Sequence, residues 1–188
     1  MSATTYFRAQ AFNNAWANHR LLTACKTLPE QELSAKRASF FPSIIHTLNH
    51  VLTVDWYYLS GLEGSSLGVS AFEPEIPYTE IVTLAEQQRQ ADRRLIDFCD
   101  ALTDQTLTDS VEHQRATFVQ TERVDRTLLH LFQHQVHHRG QVHAMLSDTS
   151  TPTPQLDEFF LDHEQERALR ASDFAALGFT EEGIWTAN

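Results

Sequence analysis

The sequence predicts an all-α chain: a four-helix bundle with a short irregular or hairpin segment before helix four and a short helical C-terminal tail. Three observations predict it. Four long stretches carry apolar residues at helical spacing. Proline and glycine collect between those stretches and are scarce within them. The chain has 188 residues, 41% of them hydrophobic, which suffices for a buried core. Residues 1–188 are read as one domain.

The first helix is expected over about residues 5–27, where Phe7, Ala11, Phe12, Ala15, Trp16, His19 and Leu22 recur on one side. Pro29 ends it. The second begins at about Ser39 or Pro42 and runs to Leu59, with Pro42 suited to a first turn because its missing N–H has no helical partner there. It is apolar almost all round, which predicts burial on two sides. GLEGSSLG then breaks it. The third spans about residues 79–102, with Thr79 as N-cap and Ile81, Leu84, Leu95, Phe98 and Leu102 on its apolar side. Residues 103–121 are β-branched in places and lack a helical stripe, hence the irregular or hairpin reading. The fourth helix spans about residues 124–146. The tail reads as an irregular entry followed by one or two short helices, with Phe159 and Phe160 as packing anchors and DEFFLDHEQE as a solvated helix start. Rods of about 30 Å bury their stripes most simply by packing as a bundle, though periodicity leaves the helix order open.

Lys+Arg total 14 against 25 Asp+Glu, a net charge of −11. Such a surface repels phosphate and argues against a nucleic-acid or anionic-membrane partner. No apolar run is long enough to span a bilayer, and the first ten residues lack the pattern of a signal peptide. Cys25 and Cys99 form no CxxC pair and are expected as buried small hydrophobes, which suits a reducing, cytoplasmic setting.

Histidine is the unusual component: ten in all, with His130, His134, His137, His138 and His143 in LLHLFQHQVHHRGQVHAML. Residues four apart share a helix face, so two imidazoles can converge on one ion. Eight apart is about 12 Å, too far for one ion, so His130, His134 and His138 cannot act together. At about 100° per residue, His134 and His138 fall at the edge of the apolar stripe, while His130 and His137 turn toward solvent. His143 falls on the apolar face, as a core histidine would. The second helix offers His46 and His50, again four apart, and spacing does not choose between them. One of these with His134 and His138 gives three nitrogens and leaves coordination positions open, as in a catalytic metal site. Gln135 stands where a zinc protease of the HExxH type has its glutamate, so that chemistry is not supported. Asp55, Tyr57 and Glu122 are candidate bases by polarity alone, with Asp55 read as supporting a site residue or lying on the surface. Trp56, Tyr57 and Tyr58 are read as core or dimer packing.

HQVHHRGQVHAML resembles the signature helix of the DinB/YfiT-like family of metalloenzymes, with its H-x-x-x-H-R-G-Q pattern. TLNHVLTVDWYYLSGL, NNAWANHRLL and TPTPQLDEFFL are similar to other parts of that family. The resemblance implies a four-helix bundle, often dimeric, with three histidines for a divalent cation (Zn, Ni or Fe). It places the helix-two ligand at His50 and the helix-four ligands at His134 and His138. It further implies a metal-dependent transferase or hydrolase, with a low-molecular-weight thiol as co-substrate. A non-catalytic, stress-associated metal-binding protein is the alternative. Gly140 is expected to admit another helix, and Arg139 to need an acceptor if buried. A homodimer is expected through the second apolar side of helix two.

Overall fold

A computed structural model describes residues 2–186. Four long helices dominate: α1 (Ala3–Cys25), α3 (Ile44–Leu62), α4 (Ile81–Asp100) and α6 (Val124–Leu146). Short helices α2 (Glu30–Ser34) and α5 (Asp104–Thr108) lie in the connections, and α7 (Glu164–Leu177) and α8 (Glu181–Trp185) form the tail. A 3-10 turn covers Gly68–Phe72. Strands β1 (Ser110–Gln114) and β2 (Val119–Arg123) make an antiparallel hairpin that pairs Ser110 with Arg123 and Gln114 with Val119. The hairpin alternative for this segment is therefore the correct one. α2, α5 and the 3-10 turn are too short to leave a periodic signal.

Helix starts follow side-chain chemistry more closely than proline. Ser2 caps α1, its Oγ accepting from the Thr5 N–H. α3 begins after Ser43, whose side chain accepts from the His46 N–H. Neither Ser39 nor Pro42 starts it: both lie in the bend before the helix, and Ser43 supplies the acceptor for the free first-turn N–H. Thr79 is likewise not a cap: Glu80 holds that position in α4 and makes no capping hydrogen bond.

Contacts fix the order that periodicity left open. α1 packs against α4 and α6, and α3 packs against the same two helices. Arg8 meets Asp100 and Asn14 meets Asp92, so α1 and α4 run antiparallel. His50 meets His134 and Tyr58 meets His130, so α3 and α6 do too. Asp55 meets Gln88 and Glu63 meets Arg94, so α3 and α4 run parallel. The segment between them therefore crosses back along the bundle, and Asn49 holds its end by exchanging two hydrogen bonds with the Tyr78 backbone, at 2.7 and 2.9 Å.

Burial on two sides is what α3 shows. Its faces are covered within the chain by α4, α6, α2, the 3-10 turn and the hairpin. Gly61 makes this possible at the hairpin: a β-carbon there would collide with the ring of buried His113. Gly140, by contrast, is exposed, and a β-carbon there would meet nothing within 4 Å, so it admits no second helix. Phe159 is buried against Trp16 and Phe174, whereas Phe160 is 44% exposed and anchors little. The two adjacent rings stand at 86° to each other, one turned into the core and the other toward solvent.

Candidate metal centre

The seam between α3 and α6 brings three histidines together. His50, His134 and His138 each present one ring nitrogen, all within 4.8 Å of one another. The periodicity arises because His134 and His138 are one turn apart on α6 and His50 faces them from the antiparallel α3. His50 Nε2 and His134 Nε2 are 3.0 Å apart. Two nitrogens bound to one ion at about 2.0–2.1 Å would stand about 3 Å apart, so this spacing fits a shared cation. The His138 Nδ1–H donates to Gln141 Oε1 at 2.8 Å, which leaves Nε2 with its lone pair free. His134 is held by packing instead: its Nδ1 is buried and has no hydrogen-bond partner.

Electrostatics keep this group in the metal-accepting state. Burial, reinforced by His138 and His46, lowers His50 to about 4 against a weaker opposing pull from Glu75. Burial, with His138 and His50 beside it, lowers His134 to about 3. Burial also lowers His138, against the Gln141 hydrogen bond. All three rings are therefore neutral at pH 7, the form that ligates. Phe41 closes one side, its ring 4.2 Å from that of His50 and 5.7 Å from that of His138.

The remaining histidines stay outside the group. His46 turns away to Glu75, at 3.0 Å. His130 and His137 are exposed, as their angular positions predict. His143 is half-buried and donates to the Pro154 carbonyl at 3.0 Å. None of the candidate bases contacts the three rings. The Tyr57 hydroxyl donates to the Gln114 carbonyl, and Glu122 pairs with Arg126. Asp55 is 2% exposed, not a surface residue, and its partners are Gln88 and Gln135. Both thiols are buried, with Cys25 pushed up to about 12 by desolvation.

Sequence reasoning missed the layer beside this group. Asn14 and Asn18 of α1, Asp55 of α3, Gln88 and Asp92 of α4, and Gln135 and Arg139 of α6 form one buried polar network. Arg139 finds its acceptors there, in Asn14, Asn18 and Gln135. Burial lowers Arg139 to about 10 and raises Asp55 to about 7 and Asp92 to about 6. The signal was available: Asn14/Asn18, Gln88/Asp92 and Gln135/Arg139 are each four apart on otherwise apolar faces. A groove of about 840 Å³ between α1 and α4, lined in part by Leu22, Ala85, Arg89 and Phe179, lies across the bundle from the histidines.

An all-α bundle with three neutral imidazoles converging from two of its helices defines a class of helical proteins able to hold a metal ion. The DinB family profile matches residues 1–169, and the chain belongs to the DinB family. The protein DinB of Bacillus subtilis (strain 168) is 26% identical over 148 residues, spanning 74% of this chain and 86% of that protein. The crystal structure of a DinB-like protein from Bacillus cereus ATCC 10987 shares the fold, with a TM-score of 0.58 at 21% identity over 74% of this chain and 90% of that one.

Proposed function

We propose that this chain is a metal-dependent enzyme, a transferase or hydrolase, in which His50, His134 and His138 hold one divalent cation (Zn, Ni or Fe). The observation that carries the reading is the convergence of three neutral imidazole nitrogens within 4.8 Å. When bound, such a cation supplies Lewis acidity, since three neutral ligands leave its +2 charge undiminished and so acidify a coordinated water or thiol. The chain's own residues orient it: Gln141 fixes the His138 ring, and Phe41 shields one side from water. A low-molecular-weight thiol is the co-substrate in this reading, because borderline-soft cations on imidazole favour sulfur.

Both sides of α3 are covered within the chain, so the dimer expected through that helix has no free face there; the same reading instead includes a homodimer that meets through α1 and α6. Tyr6, Leu129 and Val136 are 59%, 60% and 49% exposed, and they border an apolar groove of about 440 Å³. Buried free thiols fit a reducing, cytoplasmic setting, and the charge of −11 disfavours nucleic acid. Among the described residues, no helix is long and apolar enough to cross a membrane.

Metal analysis of the purified protein tests the proposal. About one equivalent of Zn, Ni or Fe is expected, lost in His50→Ala and His134→Ala and kept in His46→Ala. Protein that rejects added Zn and Ni would refute it. Sedimentation of wild type and Leu129→Glu tests the dimer: a wild-type monomer at micromolar concentration removes that part.

A further inference from the structure

Arg115 sits at the hairpin end, half-buried, with its guanidinium 5.1 Å from the Tyr57 ring. Its Nε donates to Gln120 Oε1 at 3.0 Å and its Nη2 to the Tyr58 hydroxyl at 3.2 Å. Among the described residues no carboxylate pairs with it, and Nη1 makes no hydrogen bond. The Tyr58 hydroxyl accepts from Arg115 but finds no acceptor for its own proton there. A half-buried cation without a counter-charge is uncommon in a chain with 25 acidic residues, which offers carboxylates in excess.

The position is fixed from three sides. His113 packs into the space that Gly61 leaves open, and its Nε2 lies 3.2 Å from Thr127 Oγ1. The Tyr57 hydroxyl holds the Gln114 carbonyl at 3.3 Å. The guanidinium therefore stands at one end of the α3–α6 seam whose other end holds the three histidines. His130 lies between, its ring 5.0 Å from Tyr58 and 6.3 Å from His134. Tyr58 follows His50 by two helical turns, so the separation along the seam is about 12 Å.

We infer that Arg115 and Tyr58 form the carboxylate-binding end of the substrate site: the free Nη1–H and the Tyr58 O–H hold the two oxygens of a carboxylate whose molecule reaches along the seam to the histidines. The inference rests on the metal-centre reading. It assigns the substrate or co-substrate to small acids carrying a carboxylate on the order of 10 Å from the atom that reaches the cation. Two donors and one positive charge match a carboxylate in number and in sign.

The test uses the full chain loaded with Co²⁺ and two thiol probes of equal length, ω-mercaptooctanoate and ω-mercaptooctanol, whose extended chains cover that span. The thiolate-to-cobalt absorption band reports binding of each. The carboxylate probe is expected to bind on the order of tenfold tighter, and that preference should shrink as salt is raised. Arg115→Gln should bring the two probes to near parity, chiefly by weakening the carboxylate probe, and Arg115→Lys should keep part of the preference. Should the glutamine variant fail to fold, the wild-type preference and the lysine variant still decide. Equal wild-type affinities, or a preference that survives in Arg115→Gln, overturn the inference and leave the metal centre standing. Failure of the protein to take up Co²⁺, or of both probes to give a band, overturns the metal-centre reading and the inference with it.

Discussion

Gln135, the residue after His134, donates its side-chain N–H to the carboxylate of Asp55, deep between α3 and α6. The helix that presents two of the three histidines is thus rotationally pinned one residue away from them. Burial and the nearby Asp92 raise Asp55 from 3.8 to about 7, outweighing the amide donors Gln88 and Gln135. A carboxyl whose folded pKa is raised holds a proton in the fold that the unfolded chain has released. Its contribution is fully present below about pH 4 and is lost as pH rises to about 7. Asp55→Asn, which cannot ionise, should therefore gain stability relative to wild type across that window and hold a constant difference above it. Urea unfolding at several pH values measures this, and a pH-independent difference would contradict it.

The histidines predict the opposite dependence. His50 and His134 are lowered to about 4 and about 3, so the fold disfavours their protonation. That contribution to stability is present above the ordinary value of 6.5 and is lost as pH falls toward the folded values. Protons should therefore compete weakly for the cation. Zn²⁺ affinity, measured by chelator competition, is expected to fall between about pH 7.5 and pH 5.5 by far less than the roughly thousandfold that three ordinary imidazoles would lose.

The side-chain hydrogen bonds of Gln141 go to two histidines, accepting from His138 and donating to His137 at 3.2 Å. Gln141→Ala should lower metal affinity by about tenfold, the usual scale for removing a group that orients a ligand. Circular dichroism should be unchanged. An unaltered Kd would mean that packing alone orients the His138 ring.

Gly61→Ala places a methyl group against the His113 ring and should cost about 1–3 kcal/mol in urea unfolding. His113→Ala in the same chain opens the space, so the double variant should recover part of the loss. Additive effects of the two substitutions would show that the contact is not the cause.

Much of the scaffold was legible because helix periodicity is local. Phe12, Trp16, Leu84 and Leu95 announce their faces within a few turns, and each is buried. The three histidines were legible for the same reason, being one turn apart on α6, but the choice of His50 over His46 needed the family resemblance. What distinguishes the two is Glu75, which draws His46 away from a position 29 residues distant in sequence. The polar pairs of the buried layer were visible locally, but which acceptors they meet, like the partner of Arg115, was hidden for that cause as well. Arg139 is acceptable in a core only because Asn14 lies 125 residues upstream, and Arg115 meets Tyr58 across 57 residues. Gly140 was misjudged because glycine reports backbone freedom, and only the fold says whether anything uses it.

The hairpin rests on the seam, yet it contributes none of the three converging nitrogens and none of the buried amides that pin the helices. Buried Leu107 and His113 tie residues 103–123 to the core, while the tip of the hairpin is exposed and independent of the metal-facing groups. In the carboxylate-binding reading, exchanging Arg115 at that tip re-tailors which molecules dock and leaves the nitrogen trio and its foundations as they are.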